Sequence, residues 1–225
     1  MAGMSSQQYQ AEGIVLHAIP FKEHDKILSL FTPTTGLLKL FFKSSRRFSF
    51  IQNALTTPLT VGEYLYAQGR KDLHHFRDGT ILHQNLALRN NLETLQTAEK
   101  LAHAIYQSQW PGKASPQLYL LFRTFLEKLP ESPHPDTLYA AFLLKILKHE
   151  GMLQLSPSQE ETYRYGGECF PANATPVGAH LFTQEEEREC IFLTHSRSFQ
   201  DLSSYPLAEG SKTKIETLFD QALAG

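Results

Sequence analysis

The sequence predicts an α+β chain: a small closed barrel of five strands, then an α-helical domain with a small irregular C-terminal subdomain. Three observations predict it. Five short apolar or β-branched runs, separated by turn chemistry, fill residues 12–82. From Asn85 the apolar residues recur instead at three- and four-residue steps. Beyond Gly151 that rhythm breaks up among Pro, Gly and acidic residues.

Glu12–Ile19 and Ile27–Thr32 are the first two runs, and Leu37–Lys43 is the third. Between the second and third, Pro33-Thr34-Thr35-Gly36 supplies a fixed φ and a residue free to adopt positive φ, so the pair reads as a hairpin. Val61–Ala67 and Leu73–Leu82 follow, separated by Gln68-Gly69-Arg70-Lys71-Asp72. Five short strands in so little chain favour closure over an open sheet, because closure removes exposed edges. A five-stranded Greek-key barrel of the OB type has this size, and residues 1–82 are assigned to it.

Residues 83–225 form the second expected domain. Leu88, Leu92, Leu95, Ala98, Ala102, Ile105 and Tyr106 mark one amphipathic helix, ending before Trp110-Pro111-Gly112. Ser115-Pro116 opens a second, with Leu118, Leu121, Phe122, Phe125 and Leu129 on its apolar side and Pro130 closing it. Pro135-Asp136 starts a third, through Leu138, Phe142, Ile146 and Leu147 to a stop at Gly151. Three antiparallel helices with short loops predict a bundle. Residues 156–190 are expected to be irregular with a short hairpin, and Lys212–Leu223 to form a terminal helix.

Composition narrows the function. Of 225 residues, 41% are hydrophobic and 20% charged, which excludes wholesale disorder. No apolar run approaches the roughly 18 residues of a membrane span. The first residues lack the basic and apolar regions of an export signal, so a cytoplasmic protein is expected. Residues 1–80 carry nine Lys/Arg against six Asp/Glu, a net +3, whereas residues 151–225 carry five against eleven, a net −6. A basic head with an acidic tail suggests an anionic partner for the head. No phosphate-binding glycine loop, nucleophile turn or His-Glu-x-x-His occurs, so a binding protein is favoured over an enzyme.

The third strand supplies candidate binding residues. Leu38, Leu40 and Phe42 share one face and should point into the barrel; Leu37, Lys39, Phe41 and Lys43 share the other. An aromatic between two ammonium groups, continued by Arg46 and Arg47, offers cations to successive phosphates and a ring to a base. The competing arrangement has a later helix over Phe41 and the lysines merely solvated. Arg70 and Lys71, between the last two strands, complete the expected DNA-binding set.

Specific residues carry a family resemblance. Glu12-Gly13-Ile14-Val15-Leu16, then Phe21-x-Glu23-x-Asp25-Lys26-Ile27-Leu28, then Leu30-Phe31-Thr32 and Gly36, resemble the opening of the RecO family of recombination mediators. Lys43 with Arg46-Arg47, Ala54-Leu55-x-x-Pro58 and Gly69-Arg70-Lys71-Asp72-Leu73 resemble later landmarks, and the likeness persists through the Phe142–Gly151 helix. It implies DNA repair by homologous recombination without an active site, and association with the nucleoid. The implied activities are binding of single- and double-stranded DNA, annealing of complementary strands, and partnership with RecR and the C-terminal tail of single-stranded-DNA-binding protein to load RecA. The alternative is an adaptor that docks those proteins with only weak DNA contact of its own.

Two departures from the family pattern matter. Zinc-containing members have two Cys-x-x-Cys pairs, whereas here only Cys169 of Gly166-Gly167-Glu168-Cys169 matches, and position 172 is Ala. Cys190 with His180 or His195 lacks ligand spacing, so the region at about 156–192 is read as a degenerate zinc element and no cofactor is expected. Ala140-Ala141 stand where some members carry basic residues for the partner's acidic tail. A receptor for such a tail needs an apolar slot beside a cation. Phe122, Phe125, Leu138 and Phe142 are the candidate slot, with Arg123, Lys145 and Lys148 as the cations.

Overall fold

The computed structural model describes residues 7–22, 25–43, 50–69, 71–153, 162–165, 168–171 and 182–224. Strands β1 (Gln8–Phe21), β2 (Asp25–Thr32), β3 (Gly36–Phe42), β4 (Val61–Ala67) and β5 (Leu73–His83) close a barrel in the order β1-β2-β3-β5-β4. All neighbours are antiparallel except β3 and β5. This is the expected OB-type barrel, and the five strands fall where alternation and turns put them. Helix α1 (Phe50–Leu55) precedes β4. The 3₁₀ turn Leu86–Asn90 leads to α2 (Leu92–Ser108), and α3 (Pro116–Lys128) ends in a second 3₁₀ turn at Pro130. Then follow α4 (Pro135–His149), the hairpin β6 (Thr162–Tyr165) and β7 (Glu168–Pro171), α5 (Gln184–His195), α6 (Phe199–Ser204) and α7 (Glu209–Ala224).

Tertiary contacts group the chain into two units, residues 1–90 with 102–124 and residues 91–101 with 125–225. The barrel's interior explains the first. Val15, Leu28, Leu30, Leu38, Leu40, Phe42 and Tyr64 fill it, as the alternation of β3 requires. Helix α1 closes one end: Leu55 enters this core and its carbonyl accepts from the Tyr64 hydroxyl at 3.0 Å. Leu37 departs from the alternation and is buried, because the loop after α2 packs on the β2–β3 turn; its N–H donates to the Trp110 carbonyl. Gly36 permits that approach, with φ of +65° and no room for a Cβ against the same carbonyl.

Residues 102–124 therefore belong with the barrel rather than with the other helices, unlike the division at residues 82/83 read from the sequence. The reason is chemical. Tyr119 donates to Glu12 of β1 at 2.8 Å, Arg123 pairs with the same carboxylate oxygen at 3.2 Å, and Phe31 of β2 meets the rings of Tyr119 and Phe122.

In the second unit α4 packs against α5, α6 and α7, so the C-terminal helices, and not a three-helix bundle, form its core. Thr137 donates to the Tyr205 carbonyl, Lys212 pairs with Asp136, and Glu189 accepts from Tyr205 and Ser211. Helix α5 overturns the expectation of irregular chain through residue 190. Thr183 and Glu186 form a capping box that starts it. The expected hairpin is present at Thr162–Pro171. Among the described residues no helix is long and apolar enough to cross a membrane.

Candidate nucleic-acid interface

Barrel closure sets the outer face of β3 against its neighbours in a fixed register. Ile19 pairs with Ile27, Ile27 with Phe41, and Phe41 with His75, so four side-chain positions cross four strands in one row. Ile19 is 57% exposed and His75 is exposed, while Ile27 and Phe41 are half-buried. The Phe41 ring meets Phe21 edge-on at 5.8 Å and His75 at 6.0 Å, and Phe21 is itself 41% exposed. Exposed aromatic and aliphatic side chains in contact are an unusual use of barrel surface, since the opposite pleat already supplies the core.

Cations border this row. Lys39 is half-buried and Lys43 exposed, on the same pleat as Phe41. Lys22 is exposed at the end of β1, its ammonium 5.6 Å from the Phe21 ring centre. Arg77 is exposed at the irregularity of β5, where Leu65 pairs with Asp78 and Tyr66 with Phe76. A bulge re-aims a side chain, and this one stands two residues beyond His75, as Lys43 stands two beyond Phe41. Lys71 is exposed in the β4–β5 turn. Arg46, Arg47 and Arg70 lie outside the described residues. Lys26, also on β2, is engaged elsewhere, donating to Thr56 at 2.9 Å.

Sequence reasoning missed Ile19, Phe21, His75 and Arg77. Their own alternation was readable, but the partner of each strand is set by closure, which no local pattern specifies. Two residues along β1 from Ile19, His17 meets Tyr106 of α2 at 4.8 Å and His103 at 6.4 Å. Burial, then the neighbouring His103, lowers the His17 pKa.

The residues expected to receive a partner's tail each have partners of their own. Arg123 lies in the first unit, paired with Glu12. Phe142 lies in the second and is fully buried, its ring 5.1 Å from Phe125, which stacks edge-on with Phe199. These rings are core, because α4 is buried on most sides among α5–α7. Lys145 donates to the carbonyls of Thr194 and Ser196 at 3.0 and 2.7 Å, satisfying acceptors at the end of α5. Lys148 is exposed and lies 3.3 Å from His195. Burial and the charge of Arg197 lower the Lys148 pKa; burial, Lys148 and Lys145 bring His195 down to about 4. Burial is the larger cause of both shifts, and the neighbouring cations add to it.

Among the described residues no group of three or more His, Cys, Asp or Glu is arranged to hold a metal ion. The Cys190 thiol is buried and pushed up to about 12 by that burial and by Glu189, Glu186 and Glu187, so it resists the thiolate form a ligand requires. The side chain of Cys169 and most of the region at 156–192 that precedes α5 lie outside the described residues.

The family model described as "Recombination protein O N terminal" matches residues 4–85, the barrel. Proteins called DNA repair protein RecO are similar over nearly the whole chain. One from Chlamydia muridarum (strain MoPn / Nigg) is 31% identical, covering 94% of this chain and 94% of that protein. Another from Chlamydia trachomatis serovar L2 is 29% identical over 96% of this chain and 93% of that one, and one from Clostridium perfringens is 31% identical over 92% and 87%. Fold and similarity together place this chain, with its five-stranded N-terminal barrel, among proteins called DNA repair protein RecO. The chain belongs to the RecO family.

Proposed function

We propose that the protein is a recombination mediator that binds single- and double-stranded DNA through the outer face of β3 and anneals complementary strands. One observation carries the reading: Phe41 lies in a continuous row on the outer face with Ile19, Ile27 and His75, bordered by Lys22, Lys39, Lys43 and Arg77. Ammonium and guanidinium groups neutralise phosphates without reading sequence, and rings stack on any base. Annealing needs no covalent chemistry. Lowering the repulsion between two strands while leaving base edges free is sufficient.

The deciding experiment is the salt dependence of DNA binding by the purified protein alone. If Lys39, Lys43, Arg46 and Arg47 meet about four phosphates, log K against log salt slopes near −3 for single strands, at about −0.7 per contact. Arg46→Ala with Arg47→Ala flattens that slope by roughly one unit and weakens all sequences alike. Phe41→Ala costs about 1–3 kcal/mol of single-strand affinity at unchanged slope. Binding without salt dependence returns the protein to the adaptor reading.

A second element of the reading is docking of the acidic C-terminal tail of single-stranded-DNA-binding protein, alongside RecR, to assist RecA loading. Lys148, exposed on α4 beside His195 at the end of α5, supplies a cation for it. Arg123 and Phe142 serve structure in this account. Lys148→Ala is expected to weaken a tail peptide severalfold and leave the affinity for bare DNA unchanged; equal losses on both ligands, or none on the peptide, remove this element.

A further inference from the structure

Leu38 and Tyr66 of the barrel core reach the surface in a cleft of about 410 Å³. Tyr9, Leu38, Tyr66 and His74 line its apolar side, and Gln68 and Asp72 of the β4–β5 turn stand at its rim. The rings form a ladder: Tyr9 stacks on Tyr66 at 5.7 Å and 22°, and His74 lies 5.3 Å from Tyr66. Tyr66 is buried, so it fixes the two half-buried rings on either side.

The rim is held in place. The Gly69 N–H donates to His74 Nδ1 at 3.3 Å, and a Cβ on Gly69 would strike the Leu73 carbonyl. Lys71 adopts φ of +56°, a strained value for a side chain with a Cβ. With Nδ1 accepting, the neutral imidazole carries its proton on Nε2 and presents a donor. The Tyr9 hydroxyl donates to Gln68 Oε1 at 3.3 Å, which turns the Gln68 NH₂ away as a second donor group. Asp72 is exposed and supplies a carboxylate acceptor.

We propose that this cleft holds one unpaired nucleobase bearing an exocyclic amino group. Its volume lies in the range of roughly 300–1,000 Å³ typical of small-ligand pockets, and barrel mouths are a common place for them. Aromatic rings take the face of the base, and a carboxylate accepts from an amino group such as cytosine N4. Asp72 repels a phosphate, so the base and not the backbone enters. In a duplex the same amino edge and both faces of the base are occupied, so the cleft favours single strands. The inference rests on the DNA-binding reading above and adds to it a site away from the β3 row.

The test compares oligodeoxycytidine, oligodeoxythymidine and a duplex of equal length on the full chain. The two pyrimidines differ in the amino group and little in stacking. Wild-type protein is expected to bind the cytidine strand at least about fivefold more tightly than the thymidine strand. Asp72→Ala, an exposed turn substitution, abolishes that preference. Tyr9→Leu lowers the single-strand to duplex affinity ratio at least about fivefold. Salt-dependent binding of all three ligands with equal affinity for the two pyrimidines, or a preference that survives Asp72→Ala, overturns the cleft assignment and leaves the DNA-binding reading standing. No salt-dependent binding to any ligand defeats both. Displacement of the cytidine strand by an aromatic peptide that Asp72→Ala does not affect gives the cleft to a peptide and overturns it as well.

Discussion

Glu12 is the acceptor that ties a helix to the barrel wall. Its carboxylate receives the Tyr119 hydroxyl and the Arg123 guanidinium on one oxygen, and burial together with that bond holds the Tyr119 hydroxyl well above its ordinary pKa. Glu12→Ala leaves Tyr119 without its acceptor, a loss of about 1–2 kcal/mol by urea denaturation; Glu12→Gln, which keeps an oxygen, loses less. A Glu12→Ala protein as stable as wild type refutes the tie. Lys145 makes the parallel case in the second unit, where Lys145→Met orphans the carbonyls of Thr194 and Ser196 and is expected to cost a comparable amount. Chemistry of this kind is nearly invisible in a sequence. Lys39, Phe41 and Lys43 were legible because period two needs only neighbouring residues, whereas Glu12 and Arg123 are 111 positions apart. Phe142 misled because an apolar helix position reads identically whether it lines an open slot or fills a core.

Helix α5 shows what an element's ends contribute. At its start, Thr183 accepts from the Glu186 N–H at 3.3 Å and the Thr183 N–H donates to the Glu186 carboxylate at 2.7 Å. Thr183→Ala is expected to cost about 1 kcal/mol in urea. Hydrogen bonding to Lys214, then to Thr183, holds the Glu186 carboxyl below the usual carboxylate range. That stabilisation is present above the unfolded carboxylate pKa and is lost as pH falls from there through the lowered folded value. At the other end His195, lowered to about 4 from an ordinary value near 6.5, binds fewer protons folded than unfolded between those values. Stability therefore falls as the solution is acidified from about 6.5 to about 4, in the same direction as for Glu186. His195→Gln should flatten the urea midpoint between pH 7 and 5, and an undiminished slope in that variant removes the assignment. His17 has a shift of the same sign, so His17→Gln is the companion variant. The five strands were legible from alternation and turn residues. Helix α5 was not, although Thr-x-x-Glu before an apolar stretch is its written signal, because the acidic run Glu185–Glu187 resembles a solvated loop.

At the scale of the whole chain, two of the three divisions between the units lie inside helices, at 101/102 in α2 and 124/125 in α3. Unit one consists of residues 1–90 together with 102–124, so a cut at residue 90 separates the barrel from part of its own wall. The losses can be counted. Phe31, fully buried, would lose the rings of Tyr119 and Phe122; Glu12 would lose both of its donors; Gly36 and Leu37 would lose the strand-like contacts with Trp110 and Pro111 that brace the β2–β3 turn. Exposing one large apolar side chain alone costs about 1.5–3 kcal/mol. For a domain of this size each kcal/mol lowers the melting temperature by about 4–8 °C. The fragment 1–90 is therefore expected to melt at least about 10 °C below the full chain, or to aggregate, even though it contains every strand of the barrel. The fragment 1–124 retains these contacts and should recover most of the difference. Calorimetry on the two fragments checks this. If the fragment 1–90 unfolds cooperatively at the temperature of the full chain, the barrel is self-sufficient, and α3 rests on it without supporting it.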